Sequence, residues 1–113
     1  DYVRLHEADV ALVLIPSAVQ VSRPHSSFLK RAGFWIDDEM YSSTKPQKLL
    51  AAWARQERVA VLDLLPLLRN QPEPHKLYFK HDNHFNLRGN TVVYDLVQKH
   101  LLERWLKHHA KRR

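Results

Sequence analysis

DVALVLI, residues 9–15, is an apolar run that begins after Asp9 and is closed by Pro16. A run this short, with no polar alternation, reads as a β-strand buried on both faces, as in a parallel sheet. A second run, RVAVLD at 58–63, is apolar and β-branched. Between the two, Thr44 reads as a helix N-cap with Pro46 in the first turn. Leu49, Leu50, Trp53 and Ala54 follow at spacings of three to four, so residues 45–57 form an amphipathic helix. Strand, helix, strand is the grammar of an α/β fold with a parallel sheet.

The remaining segments fit around this unit. Residues 17–38 contain Pro24, clustered serines and Gly33, and read as a long loop or short irregular helix carrying exposed Phe34 and Trp35. Residues 64–69 form a helical turn containing Pro66, for which Asp63 is a cap. QPEP at 71–74 is a breaker. The last element is the clearest: Asn86 can cap a helix, and Val93, Leu96, Val97, Leu101 and Trp105 recur at helical spacing. A long amphipathic helix over 87–107 follows, and the stripe positions of Trp53 and Trp105 make both core residues.

Composition narrows the class. At 113 residues the chain is one modest domain or a piece of a larger one. Its 44% hydrophobic share suffices for a core, and two glycines are too few for many tight hairpins. The absence of cysteine removes disulfides, thiolate zinc sites and cysteine nucleophiles together. No apolar run approaches the ~20 residues of a membrane helix. There is no signal-peptide pattern, and a start at Asp1 suits a processed or truncated chain. The net charge of +6 sits largely at the end, in Lys107, Lys111, Arg112 and Arg113, where cations complement a helix C-terminus. No zinc-finger spacing, RNP-like aromatic pattern or recognition helix points to nucleic acid.

The chemistry concentrates in LYFKHDNHFNLRGN, residues 77–90. Asp82 stands two residues before His84, at the mouth of the last helix. A carboxylate that close can hold an imidazole in one tautomer and stabilise its charged form, which is the base half of a nucleophile–base–acid triad. In parallel α/β folds such groups gather outside the carboxyl ends of the strands. The loop with Pro16, Ser17 and Gln20, the turn at Asp63 and Leu64, and the Asp82–His84 loop all belong at that edge. The bland alternative is an exposed loop pair with Asp82 capping a turn. His81 reads as a solvent-facing neighbour. His81, Asp82 and His84 could be taken as a metal set, but consecutive loop residues seldom converge on one ion, so no metal or cofactor is expected. His108 and His109 read as solvated.

The pattern D-x-H-F-N-x-x-G-N at 82–90, after LYF and before a terminal amphipathic helix, resembles the final block of the SGNH/GDSL hydrolase superfamily. The D-x-H spacing is closest to the alginate O-acetyltransferase-like branch; the lipase branch has D-x-x-H. VLIPSAVQV at 13–21 and VAVLDLLPLLR at 59–69 resemble that branch's strands and following turns. The resemblance implies that residues 1–113 are a single segment, the C-terminal portion of a three-layer α/β/α domain. It implies His84 as general base, Asp82 as its orienting acid, Asn86 as the cap of the final helix, and Gly89 as the residue that lets that helix start pack close to the sheet. The substrate class would be an acyl ester or acetylated carbohydrate, handled by hydrolysis or acyl transfer. The location would be periplasmic, secreted or on the outer face of a membrane.

The chain also departs from that pattern. The superfamily's nucleophilic serine lies in a GDS-type block, and no GDS, G-x-S-x-G or G-x-N-D occurs here. Ser17, Ser22, Ser26, Ser27, Ser42 and Ser43 lack a nucleophile-elbow context. The nucleophile is therefore expected from outside this chain, from the remainder of the domain or another chain. Two other classes stay open: an inactive SGNH-like module that binds carbohydrate or ester, and a small basic domain that meets acidic partners.

Overall fold

The computed structural model describes Leu5 and residues 9–110, with side chains through Lys107. Strands β1 (Ala11–Leu14) and β2 (Ala60–Asp63) pair in parallel, with Ala11 opposite Ala60 and Leu14 opposite Asp63. Parallel pairing requires a crossover, and here it is helical: α1 (Ala18–Val21), α2 (Arg23–Arg31), α3 (Asp38–Ser42) and α4 (Lys45–Gln56). After β2 come α5 (Leu65–Arg69) and a 3-10 turn (Pro74–Leu77). The chain ends in α6 (Leu87–Val97), a π-helical stretch (Gln98–Leu102) and α7 (Glu103–Ala110). The architecture is mixed α/β, largely helical, with a small parallel sheet.

The core lies where α5, the 3-10 turn and α1 meet the strand ends. Leu64, Leu65, Leu68 and Leu77 are essentially inaccessible, and Ala18, Val21, Leu62 and Tyr78 complete the cluster. Val93, Leu96, Val97 and Leu101 bring the C-terminal helix against it. Full burial of one such leucine contributes about 1.5–3 kcal/mol, so this cluster dominates the stability of the region beneath the site. Asp63 Oδ1 accepts the Leu65 N–H at 2.9 Å and sets the turn into α5.

Five expectations change. Residues 17–38 are mostly helical, because Pro24 occupies the first turn of α2, where its missing N–H costs nothing. Val21, His25 and Leu29, four residues apart, are all buried. Strand β1 is shorter than its apolar run and only partly buried, with Val10 and Ile15 exposed. Helix α4 docks on its Gln47–Ala54 edge rather than on its bulky stripe. The Gln47 amide pairs with that of Gln20, and the small Ala54 is fully buried. That rotation turns Leu49, Leu50 and Trp53 outward. Trp105 is half-buried, and the last helix is interrupted by its π-helical stretch. At Thr44 the side chain makes no cap; Ser43 Oγ accepts the Lys45 N–H instead. Phe34 and Trp35 are exposed. The side chains of His108 and His109, and Lys111, Arg112 and Arg113, lie outside the described residues.

Candidate active site

Residues 77–86 close on themselves to form a loop with a tied neck. Asn86 N–H donates to the Leu77 carbonyl at 3.1 Å, and Phe79 N–H donates to the His84 carbonyl at 3.0 Å. Tyr78 and Phe85 pair as an isolated antiparallel bridge, with ring centroids 4.6 Å apart. Asp82 N–H then turns back to the Phe79 carbonyl at 3.3 Å. The short segment 80–84 is thereby held as an exposed tip on a buried base, since Leu77 and Tyr78 belong to the core.

At that tip one carboxylate oxygen serves two donors. Asp82 Oδ1 accepts the His84 backbone N–H at 2.9 Å and lies 2.5 Å from His84 Nδ1. The two N–H groups hold the Asp82 carboxyl below its ordinary range, the backbone donor contributing most. An ionised carboxylate only accepts, so Nδ1 carries the proton of this contact, and in the neutral ring the lone pair then lies on Nε2. The His84 side chain is 84% exposed, which leaves Nε2 accessible to a reacting group.

Below the neck, Asn86 uses both ends of its amide. Oδ1 accepts the Gly89 N–H at 3.0 Å and caps α6, while Nδ2 donates to the Lys76 and Tyr78 carbonyls at 2.8 and 3.0 Å. Gly89 is buried, and a Cβ there would stand 2.0 Å from the Leu77 carbonyl oxygen. The first turn of α6 therefore lies directly on the backbone that forms the neck, not on the sheet. Tyr78 OH reaches the carbonyl of Pro16, just past β1, at 3.3 Å. That bond ties the neck to the carboxyl end of the first strand. Burial raises the Tyr78 phenol well above its usual range, so it stays a neutral donor.

A residue invisible to the sequence reasoning joins this assembly. His25 of α2 is 4% exposed, and its Nε2 lies 2.9 Å from the Asp82 carbonyl oxygen. Burial lowers its pKa, opposed by that bond. Its ring lies beside Tyr78 and Phe28, and Phe28 packs edge-on against His81 at 4.3 Å. The signal was the four-residue spacing of Val21, His25 and Leu29, masked by the neighbouring proline and serines. His25, Tyr78 and Asn86 also line a cavity of about 440 Å³ together with Phe28, Arg31 and Lys76. Asp82 and His84 stand outside that lining.

The serines are placed less suggestively. Ser22 and Ser26 have buried hydroxyls without a hydrogen-bond partner. Ser17 and Ser27 are exposed, and the Ser42 hydroxyl bonds back to its own helix at Asp38. Among the described residues no three His, Asp or Glu side chains are grouped to hold a metal ion, and no helix is long and apolar enough to cross a membrane.

No curated protein and no solved structure matches the chain. Its residues 5–113 do match a protein family, the SGNH hydrolase-like domain of acetyltransferase AlgX. With a parallel sheet, a helical crossover and a bonded Asp–His pair before the final helix already in place, that match across almost the whole sequence decides the matter: the chain belongs to the AlgX-type SGNH hydrolase-like acetyltransferase family.

Proposed function

We propose that this segment supplies the general base and its orienting acid for acyl transfer, with His84 as base and Asp82 as acid. The nucleophile is a serine from outside the segment. The serine hydroxyl attacks the carbonyl of an acyl ester as His84 Nε2 takes its proton. The tetrahedral adduct collapses, and the leaving alcohol departs with the proton returned from Nε2. A second hydroxyl then gives its proton to Nε2 and attacks the acyl-enzyme, and the serine oxygen leaves reprotonated. If that hydroxyl is on a sugar, the result is O-acylation, acetylation in the family's own chemistry; if it is water, the result is ester hydrolysis. Asp82 holds the Nδ1–H side of the ring throughout and offsets the charge the ring acquires.

One observation carries this reading: a single Asp82 oxygen takes both the backbone and ring N–H of His84, while the rest of that ring is exposed. A loop cap alone would need only the backbone bond. General acid–base help of this kind is worth about 10²–10⁴-fold. The test uses the full-length protein, with 4-nitrophenyl acetate as acyl donor and acetylation of a saccharide as the second readout. His84→Ala is expected to lower turnover by about 10²–10⁴-fold while leaving the fold intact, because the side chain packs against little. Turnover equal to wild type in that variant removes His84 from the chemistry. Saccharide binding without turnover in the wild-type protein itself would favour an inactive binding module.

A further inference from the structure

We propose that His25 is a positioning residue for this site: from α2 it fixes the backbone at Asp82 and so aims the carboxylate that orients His84. The inference rests on the catalytic reading of Asp82 and His84 given above, and it adds a residue from a remote part of the chain. Asp82, Asn83 and His84 are all exposed, and a solvent-facing tip held only by its own turn would sample many orientations. The local bonds fix one side of the Asp82 residue, its N–H, on the Phe79 carbonyl. The other side, its carbonyl, is held by His25 Nε2 at 2.9 Å across 57 positions of sequence. Among the described residues it is the one side-chain hydrogen bond that reaches the tip from outside residues 77–90. With both flanking peptide groups anchored, the Cα–Cβ direction of Asp82 is set.

The chemistry of the contact supports a positioning role over simple core filling. A carbonyl only accepts, so His25 bears its hydrogen on Nε2. An imidazole buried to this degree is costly unless its polar atoms are satisfied, and a leucine would fill the space between Tyr78 and Phe28 without that cost. The ring is itself clamped, by Tyr78 on one side and by Phe28 of its own helix. Tyr78 also shares the loop neck with Asn86, so the anchor for the tip is built on the same rigid base as the neck.

Two substitutions separate the alternatives in the full-length protein. His25→Gln places an amide N–H at about the reach of Nε2, whereas His25→Asn places it at the level of Nδ1, too short for the Asp82 carbonyl. His25→Asn is expected to lower kcat on 4-nitrophenyl acetate roughly 10- to 100-fold, the scale of a slight misplacement of catalytic groups, with KM changed by less than about twofold. In the same variant the Asp82 carboxyl, followed by carbon-13 NMR, should titrate at higher pH than in wild type. His25→Gln should restore both readouts. Wild-type values in His25→Asn, or equal losses in the two variants, would overturn the proposal. Should His25→Asn not fold, His25→Leu, which fills the space but has no N–H, takes its place: an upward shift of the Asp82 titration supports the tether and an unmoved one refutes it. The titration does not depend on turnover. A fully active His84→Ala variant would therefore sink the catalytic reading and leave the tether to be judged on its own.

Discussion

The Leu64–Tyr78 core and the 80–84 tip lie within a few residues of each other, yet they are stabilised in opposite ways. The core is apolar, inaccessible and held by packing: Leu64, Leu68 and Leu77 are each 0% exposed. The tip is polar, open to solvent and held by a few directed bonds, to Phe79, to Asp82 Oδ1 and to His25. The difference teaches how an exposed site can be precise. Its order is imported through the neck, where Asn86, Gly89 and Tyr78 join the loop to the buried cluster. Exposed side chains can then face water without being free to wander, which suits the role of base proposed for His84.

Gly89 gives the harshest way to break that arrangement, because it touches both regions at once. Alanine is ordinarily the better helix residue, by roughly 0.5–1 kcal/mol. Here its Cβ would stand 2.0 Å from the Leu77 oxygen and 2.9 Å from a Phe85 ring carbon. The first of these contacts is with backbone, which cannot rotate away, so α6 or the neck must shift. Overpacking of this kind costs about 3 kcal/mol, and the penalty outweighs the propensity gain. Gly89→Ala should lower the unfolding free energy, measured by urea denaturation, by about that amount and displace the tip, so that turnover falls with stability. A variant of wild-type stability would mean that α6 does not lie on the neck.

Asn86 allows a finer cut, since its amide serves the helix with one atom and the neck with the other. Asn86→Ala loses the cap and both carbonyl bonds, and should cost about 1–2 kcal/mol. Asn86→Asp keeps an oxygen for the Gly89 N–H but has nothing to donate to the Lys76 and Tyr78 carbonyls. It should therefore preserve α6, measured by amide exchange in the first turn of the helix, while the 79–84 amides exchange faster. Equal protection at the tip in Asn86→Asp and wild type would show that the neck is closed by backbone bonds alone.

What the sequence made legible follows the same division. The two strands were readable because each is a short apolar run whose signal is local. The Asp82–His84 contact spans two residues, and the Asn86 cap spans three, so both could be anticipated from spacing. The partner of Gly89 could not, because nothing in the sequence places the Leu77 carbonyl under its Cα. Helix α2 was hidden by Pro24 and the serines, which signal loops in isolation but are tolerated where Val21, His25 and Leu29 face a core. Trp53 was misplaced for a related reason. Helical spacing shows which face of α4 is apolar, but the docked face was chosen by the Gln20–Gln47 amide pair and the small Ala54. His25 combines both difficulties, since its role exists only once two segments 57 residues apart have been brought together.

Acid should act on the two regions in separate windows, and with smaller effect than any of these substitutions. His25 has its pKa lowered from about 6.5 by burial, so the unfolded chain binds a proton more readily than the folded one. The stability that this neutral ring contributes is complete above its unfolded value and is lost as pH falls through the lower folded value. Asp82 is likewise lowered, from 3.8, by the His84 donors. Its contribution is present above that value and disappears only as pH falls through the depressed folded one. The buried anchor is therefore weakened before the exposed carboxylate is protonated. Urea midpoints followed from pH 8 to pH 3 should show a first decline that is missing in His25→Gln. A second decline, at lower pH, should be reduced in Asp82→Asn. The exposure of Asp82 keeps that second step small, because water can solvate its charge in either state. If the His25→Gln profile overlays wild type between pH 7 and pH 5, the ring is not held neutral by its surroundings. The contrast between a buried anchor and an open tip would then rest on packing alone.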